Sequence, residues 1–115
     1  MKTREEAVAF CNTLPFVYED QPFHDDNWTL MRHKENKKTF AFIFEKDGLV
    51  WINVKATPLG GELWRQVYDA VVPAYHMNKQ HWISIILDGS MNDGDIRRLI
   101  EDSFDLTKKK NGRGA

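Results

Sequence analysis

Residues 28–55 read WTLMRHKENKKTFAFIFEKDGLVWINVK, and the way this stretch folds on itself decides the architecture. The apolar patterning of WTLMRH, TFAFIFE and LVWINVK predicts three antiparallel strands joined by two hairpins. The second connection, Glu45-Lys46-Asp47-Gly48-Leu49, fits a two-residue or a three-residue loop, and the choice moves one strand's side chains to the other face. With three residues in the loop and Gly48 left-handed, Phe40, Phe42 and Phe44 share a face with Val50, Ile52 and Val54. With two, Phe42 stands opposite Asn53 and Phe40 opposite Lys55, which buries polar groups among aromatic rings at a cost of a few kcal/mol each. The pattern selects the three-residue loop. Thr39, Ala41, Ile43, Glu45, Leu49, Trp51, Asn53 and Lys55 then lie on a mixed opposite face.

Upstream, Thr3 and Glu6 form a capping box that starts a helix. Ala7, Cys11 and Leu14 make its inward stripe with Phe10 alongside, and Pro15 ends it. Residues 16–27, FVYEDQPFHDDN, suit an irregular or edge segment. Downstream, Pro58, Gly60 and Gly61 predict a turn, followed by a short helix from about Glu62 to Val71. Its expected buried stripe is Leu63, Val67, Ala70 and Val71, and Pro73 stops it. The block PAYHMNKQHW leads into a last strand, WISIIL, with Ile83, Ile85 and Leu87 on one face and Trp82, Ser84 and Ile86 on the other. Asn92 or Asp93 caps a final helix whose inward residues are Ile96, Leu99, Ile100 and Phe104. The order is α-β-β-β-α-β-α, an α+β domain with an antiparallel sheet and helices mainly on one face.

At 115 residues the chain makes one domain, assigned to residues 1–107. One cysteine excludes an internal disulfide framework and Cys-rich zinc patterns, so a cytoplasmic setting is expected. Apolar runs of five residues, at 7–11 and 40–44, are far too short for the roughly 20 that span a bilayer, so no membrane is expected. The net charge of −1 is uneven: four of the 16 basic residues lie in 108–115, KKKNGRGA, leaving 12 against 17 acids in residues 1–107. The tail reads as flexible and basic, and the domain itself as −5.

Catalytic and cofactor patterns are missing. Gly60-Gly61 lacks the lysine of a phosphate loop, Ser84 lies inside a strand rather than at a nucleophile elbow, and His76 and His81 match no zinc spacing. His24 beside Asp25 and Asp26 lacks a third ligand. No enzyme, metal or cofactor is therefore expected. The densest chemical cluster is His76, Asn78, Lys79, His81 and Trp82, which suits phosphates, bases or a carboxylate, or simply satisfies a loop backbone and a core. A second candidate is the first hairpin tip, with Arg32, Lys34, Lys37 and Lys38 against Glu35, either a contact to DNA backbone or a solvated turn.

PAYHMNKQHW, followed by LDG and DxxIRRLIEDSF, resembles the MmcQ/YjbR family of small bacterial proteins, and NVKATP at 53–58 fits its strand-to-helix segment. The resemblance extends over nearly all of 1–107. It implies a YjbR-like fold, similar to type III secretion chaperones, and a DNA-binding role through a double wing. The wings would be the 32–38 hairpin and the 45–49 turn, with Tyr75 to Trp82 as the signature surface. Because the domain is acidic and the second tip is net negative, DNA binding is expected to be sequence-indifferent and weak, roughly 10⁻⁴ to 10⁻⁶ M, and lost with salt. The competing expectation is a small-ligand or protein interaction module on the second sheet face. There Ile43 and Trp51, with Trp82, Ser84 and Ile86, would form a platform for a small anion, a peptide or a second copy of the chain.

Overall fold

The computed structural model describes residues 1–109. The elements run α1 (Arg4–Cys11), β1 (Val17–Asp20), β2 (Thr29–His33), β3 (Thr39–Lys46), β4 (Leu49–Lys55), α2 (Pro58–Val67), β5 (Val71–Pro73), β6 (Trp82–Ile86) and α3 (Asp93–Thr107). The six strands form one antiparallel sheet in the order β1-β2-β3-β4-β6-β5. The architecture is α+β as the sequence predicts, with two additional strands. Both added strands are short and lie at the sheet's edges, β1 within the segment expected to be irregular or edge. Short edges limit strand addition by other chains. Lys110 and Arg113 of the basic tail lie outside the described residues.

The central hairpin overturns the three-residue loop. Asp47 and Gly48 both have positive φ, 54° and 78°, the geometry of a two-residue turn that matches strand twist. Lys46 therefore pairs with Leu49, Ile43 with Ile52, and Phe42 with Asn53. Ile43 consequently shares the face of Val50, Ile52 and Val54, while Phe42 and Phe44 share the face of Trp51 and Asn53. Phe40 departs from this alternation. β2 and β3 shift register between Met31 and Arg32, and the Phe40 ring meets Phe104 of α3 edge-on at 5.4 Å.

All three helices contribute to the core on the Ile43 face. Ala7 and Cys11 of α1 and Ile96, Leu99 and Ile100 of α3 join Met31, Ala41, Ile43, Ile52, Val54, Ile83 and Ile85 in one buried cluster. The Thr3 capping box forms as the sequence predicts, and of the two candidates Asn92 and Asp93 it is Asn92 that caps α3. Burial pushes the Cys11 thiol pKa up to about 12, which fits a packing role rather than a nucleophilic one.

Helix α2 differs from its expected form. Thr57 caps it through the Gly60 amide, so Gly60 and Gly61 lie in its first turns rather than in a preceding turn. A Cβ on Gly61 would come within 3.2 Å of Ile83, so its absence lets the helix lie close on β6. That contact, with half-buried Trp64 and Tyr68, sets the helix's rotation. Leu63 and Val67 of the expected buried stripe are instead exposed, at 52% and 66%, and Val71 belongs to β5.

Candidate functional site

The Phe42 face of the sheet is covered by two irregular segments rather than by helices. Residues 21–28 cross one side, held by Asn27, whose Nδ2 donates to Glu45 O and whose Oδ1 accepts from Glu45 N and from Arg4 Nη2. This clamp sets Trp28 on Phe44, with ring centroids 4.2 Å apart and nearly parallel. On the other side, residues 74–81 leave β5, cross the face and re-enter the sheet at Trp82.

A buried polar pair pins that second segment. Asn53 and Ser84 are both fully buried and are paired across β4 and β6. Asn53 Nδ2 donates to Tyr75 O at 2.9 Å, Tyr75 N donates to Ser84 Oγ at 3.0 Å, and the Ser84 hydroxyl donates to Asn53 Oδ1. Both backbone polar groups of Tyr75 are thereby satisfied, and its ring stacks on Phe44 at 5.6 Å. His76 follows with φ of 61°, a left-handed conformation that costs a non-glycine residue roughly 1–2 kcal/mol. Its exposed ring lies 3.9 Å from that of Tyr75. Lys46 Nζ sits over Trp51 and Tyr75, 5.0 and 5.3 Å from their centroids, and is paired with Asp47.

Between the two segments runs a groove of about 390 Å³ lined by Phe23, Asp25, Trp28, Phe42, Tyr75, His76 and Met77. Of the polar cluster His76, Asn78, Lys79, His81 and Trp82, only His76 lines it, beside Tyr75 and Met77 of the signature surface. Trp82 packs edge-on against Phe42 at 5.5 Å. Asn78 is a turn residue: its side chain accepts from the amides of Gln80 and His81, and its carbonyl from Trp82. Lys79 and His81 are exposed, and His81 is not among the groove residues. Ile43 is fully buried in the helix-side core, so the expected platform of Ile43 and Trp51 does not form. Trp51 is on the groove's face, half-buried among Phe44, Tyr75 and Lys46. Phe23 and Trp28 carry no sequence signal for the site, and Phe42 lies on the face opposite to the one the pattern predicts. The polar pair Asn53/Ser84 inside two apolar strands was the available signal that this face carries a built structure.

The basic hairpin lies elsewhere. Arg32 Nε is 2.7 Å from Asp20 Oδ2 as an ion pair, off the line that a hydrogen bond needs, and Nη1 donates to Lys37 O. Lys34, Lys37 and Lys38 are exposed. The hairpin docks on the end of α3, where Asn36 Nδ2 donates to Thr107 O and buried His33 Nε2 lies 2.8 Å from Thr107 Oγ1. Because the Thr107 hydroxyl donates to Ser103 O, His33 donates to it and is assigned the Nε2–H tautomer. The two turns named as wings stand at opposite ends of β3, whose eight residues span roughly 25 Å. They do not form adjacent tips.

The YjbR family model matches residues 12–106, which contain every strand and the groove. The chain belongs to the YjbR family. Among its relatives, the uncharacterized protein YyaQ of Bacillus subtilis is 35% identical, with 94% of this chain and all of that protein aligned. The uncharacterized protein YjbR of Escherichia coli is 32% identical, with 89% of this chain and 84% of that protein covered. A crystal structure of a Deinococcus radiodurans protein superposes with a TM-score of 0.84 at 28% identity, covering 99% of this chain and 85% of the other. A Pseudomonas syringae protein gives 0.82 at 29% identity, covering 92% and 99%. The YjbR fold is thus shared along almost the whole chain. Among the described residues no helix is long and apolar enough to cross a membrane.

Proposed function

We propose that this YjbR-family protein is a non-enzymatic binding module whose ligand seat is the groove between residues 21–28 and 74–81. The observation that carries this reading is the groove itself. Its volume falls within the roughly 300–1,000 Å³ of small-molecule sites, and its lining is mainly aromatic with few polar groups. The Asn27 clamp and the Asn53–Ser84–Tyr75 network fix both walls in advance, which lowers the ordering cost of binding. Titrating ¹⁵N-labelled protein with a panel of small aromatic and ammonium compounds tests it. Binders are expected to shift the Trp28 indole and the amides of residues 75–77; binders that move only residues outside the groove would refute it. Light scattering tests the alternative occupant, a second copy of the chain, which would give a dimer at high concentration.

A second reading, weak binding of duplex DNA, is supported by the exposed Lys34, Lys37 and Lys38 beside the end of α3, where Lys108 and Lys109 follow. Such contacts are to phosphates and carry no sequence information. In this reading a low-salt titration gives a Kd of roughly 10⁻⁴ to 10⁻⁶ M, and replacing the three hairpin lysines by glutamine lowers the salt dependence. Absence of binding at high micromolar protein in low salt would remove it.

A further inference from the structure

The groove's chemistry also points to a ligand class, an inference that rests on the groove being the binding seat. We infer that it takes a small organic ammonium. Phe23, Trp28, Phe42 and Tyr75 line it with the thioether of Met77, and Asp25 is the acidic lining residue. The Phe23 and Trp28 rings stand at 86° with centroids 6.5 Å apart, forming a corner rather than a stack. Aromatic faces attract a cation held within about 6 Å of the ring centre, and quaternary ammonium groups are recognised by such enclosures.

One of the lining rings, Tyr75, already meets a cation. Lys46 Nζ sits over Trp51 and Tyr75, the latter a groove residue. Asp47 balances that lysine at 2.7 Å, so Lys46 adds little net positive charge beside the groove. Asp25 has no such balance. Its Oδ1 accepts from the neutral backbone N–H of Asn27, and among the described residues no lysine, arginine or histidine lies within ion-pair distance of it. Asp26 adds a further negative charge next in sequence. An anion entering the groove meets the Asp25 carboxylate, with His76 the one basic side chain among the described lining residues, whereas an ammonium meets ring faces and a carboxylate together.

The test is an NMR titration of the full chain with choline, its uncharged carbon isostere 3,3-dimethyl-1-butanol, and the anion 3,3-dimethylbutanoate. Choline is expected to shift the Trp28 indole and residues 75–77 and to bind about ten-fold more tightly than the isostere. Asp25→Asn, which keeps the oxygen that accepts from Asn27, is expected to weaken choline about five-fold while leaving the neutral compound unchanged. Trp28→Ala is expected to abolish both responses. Equal or tighter groove binding by the neutral or anionic compound overturns the ammonium assignment and leaves the groove as a ligand seat. No groove response to any of the three overturns both.

Discussion

Replacing Asn53 by alanine is expected to destabilise the protein and unlock the wall of the groove formed by Tyr75. Asn53 is fully buried and uses both ends of its amide, so truncation leaves the Tyr75 carbonyl without its donor and the Ser84 hydroxyl proton without its acceptor. Each such loss costs about 1–3 kcal/mol, which sums to about 2–6 kcal/mol for the variant. Ser84→Ala has a similar cost, because it strands the Tyr75 amide and Asn53 Oδ1. The double variant strands only the two Tyr75 backbone groups, so its loss should match either single change rather than their sum. Urea unfolding of the four proteins gives this coupling directly, and near-UV circular dichroism reports release of the Phe44–Tyr75 stack. Strict additivity, or a loss below about 0.5 kcal/mol for Asn53→Ala, would refute the network as the anchor of the loop.

Three further outcomes are open to measurement. Burial lowers the pKa of His33, reinforced by Lys108 and Lys38 and opposed by the Phe104 carbonyl and Glu35. The unfolded chain therefore takes up a proton before the folded one, so this contribution is complete above about pH 6.5 and is lost as pH falls below it. Urea midpoints between about pH 7.5 and 5 should fall more steeply for the wild type than for His33→Gln, and equal slopes would count against it. Gly48→Ala should cost roughly 1–2 kcal/mol, because φ of 78° is unfavourable for alanine while the space beside Gly48 is open; an unchanged unfolding midpoint would contradict the two-residue turn. Leu63→Gln should change stability by less than about 0.5 kcal/mol, since the side chain is exposed, and a loss typical of a core position would contradict the observed rotation of α2.

Much of the architecture is legible without coordinates because it rests on local chemistry. The Thr3 capping box, the start of α3 at Asn92 or Asp93, the alternation of Ile83, Ile85 and Leu87 and the inward stripe of α3 need only neighbouring residues to be read. The short edge strand β5 is harder to see, since three residues show almost no period. The site was legible only in part. PAYHMNKQHW marks the loop that forms one wall, yet most of its polar side chains serve the turn or solvent, and the groove is completed by Phe23 and Trp28 from a segment with no regular pattern.

Composition and short-range pattern suffice for the α+β class, the central meander, the Thr3 capping box and the acidic balance of the domain. The register of the central hairpin was decided by tertiary structure. Setting Asn53 opposite Phe42 looks costly when the strand pair is considered alone, because a buried amide without partners is expensive. Ser84 from β6 and the Tyr75 backbone remove that cost, and they lie 31 and 22 residues away in the chain. Once that penalty is gone, the two-residue Asp47-Gly48 turn governs the pairing. It places Ile43 in the core and turns Phe42, Phe44 and Trp51 onto the face where the groove is built.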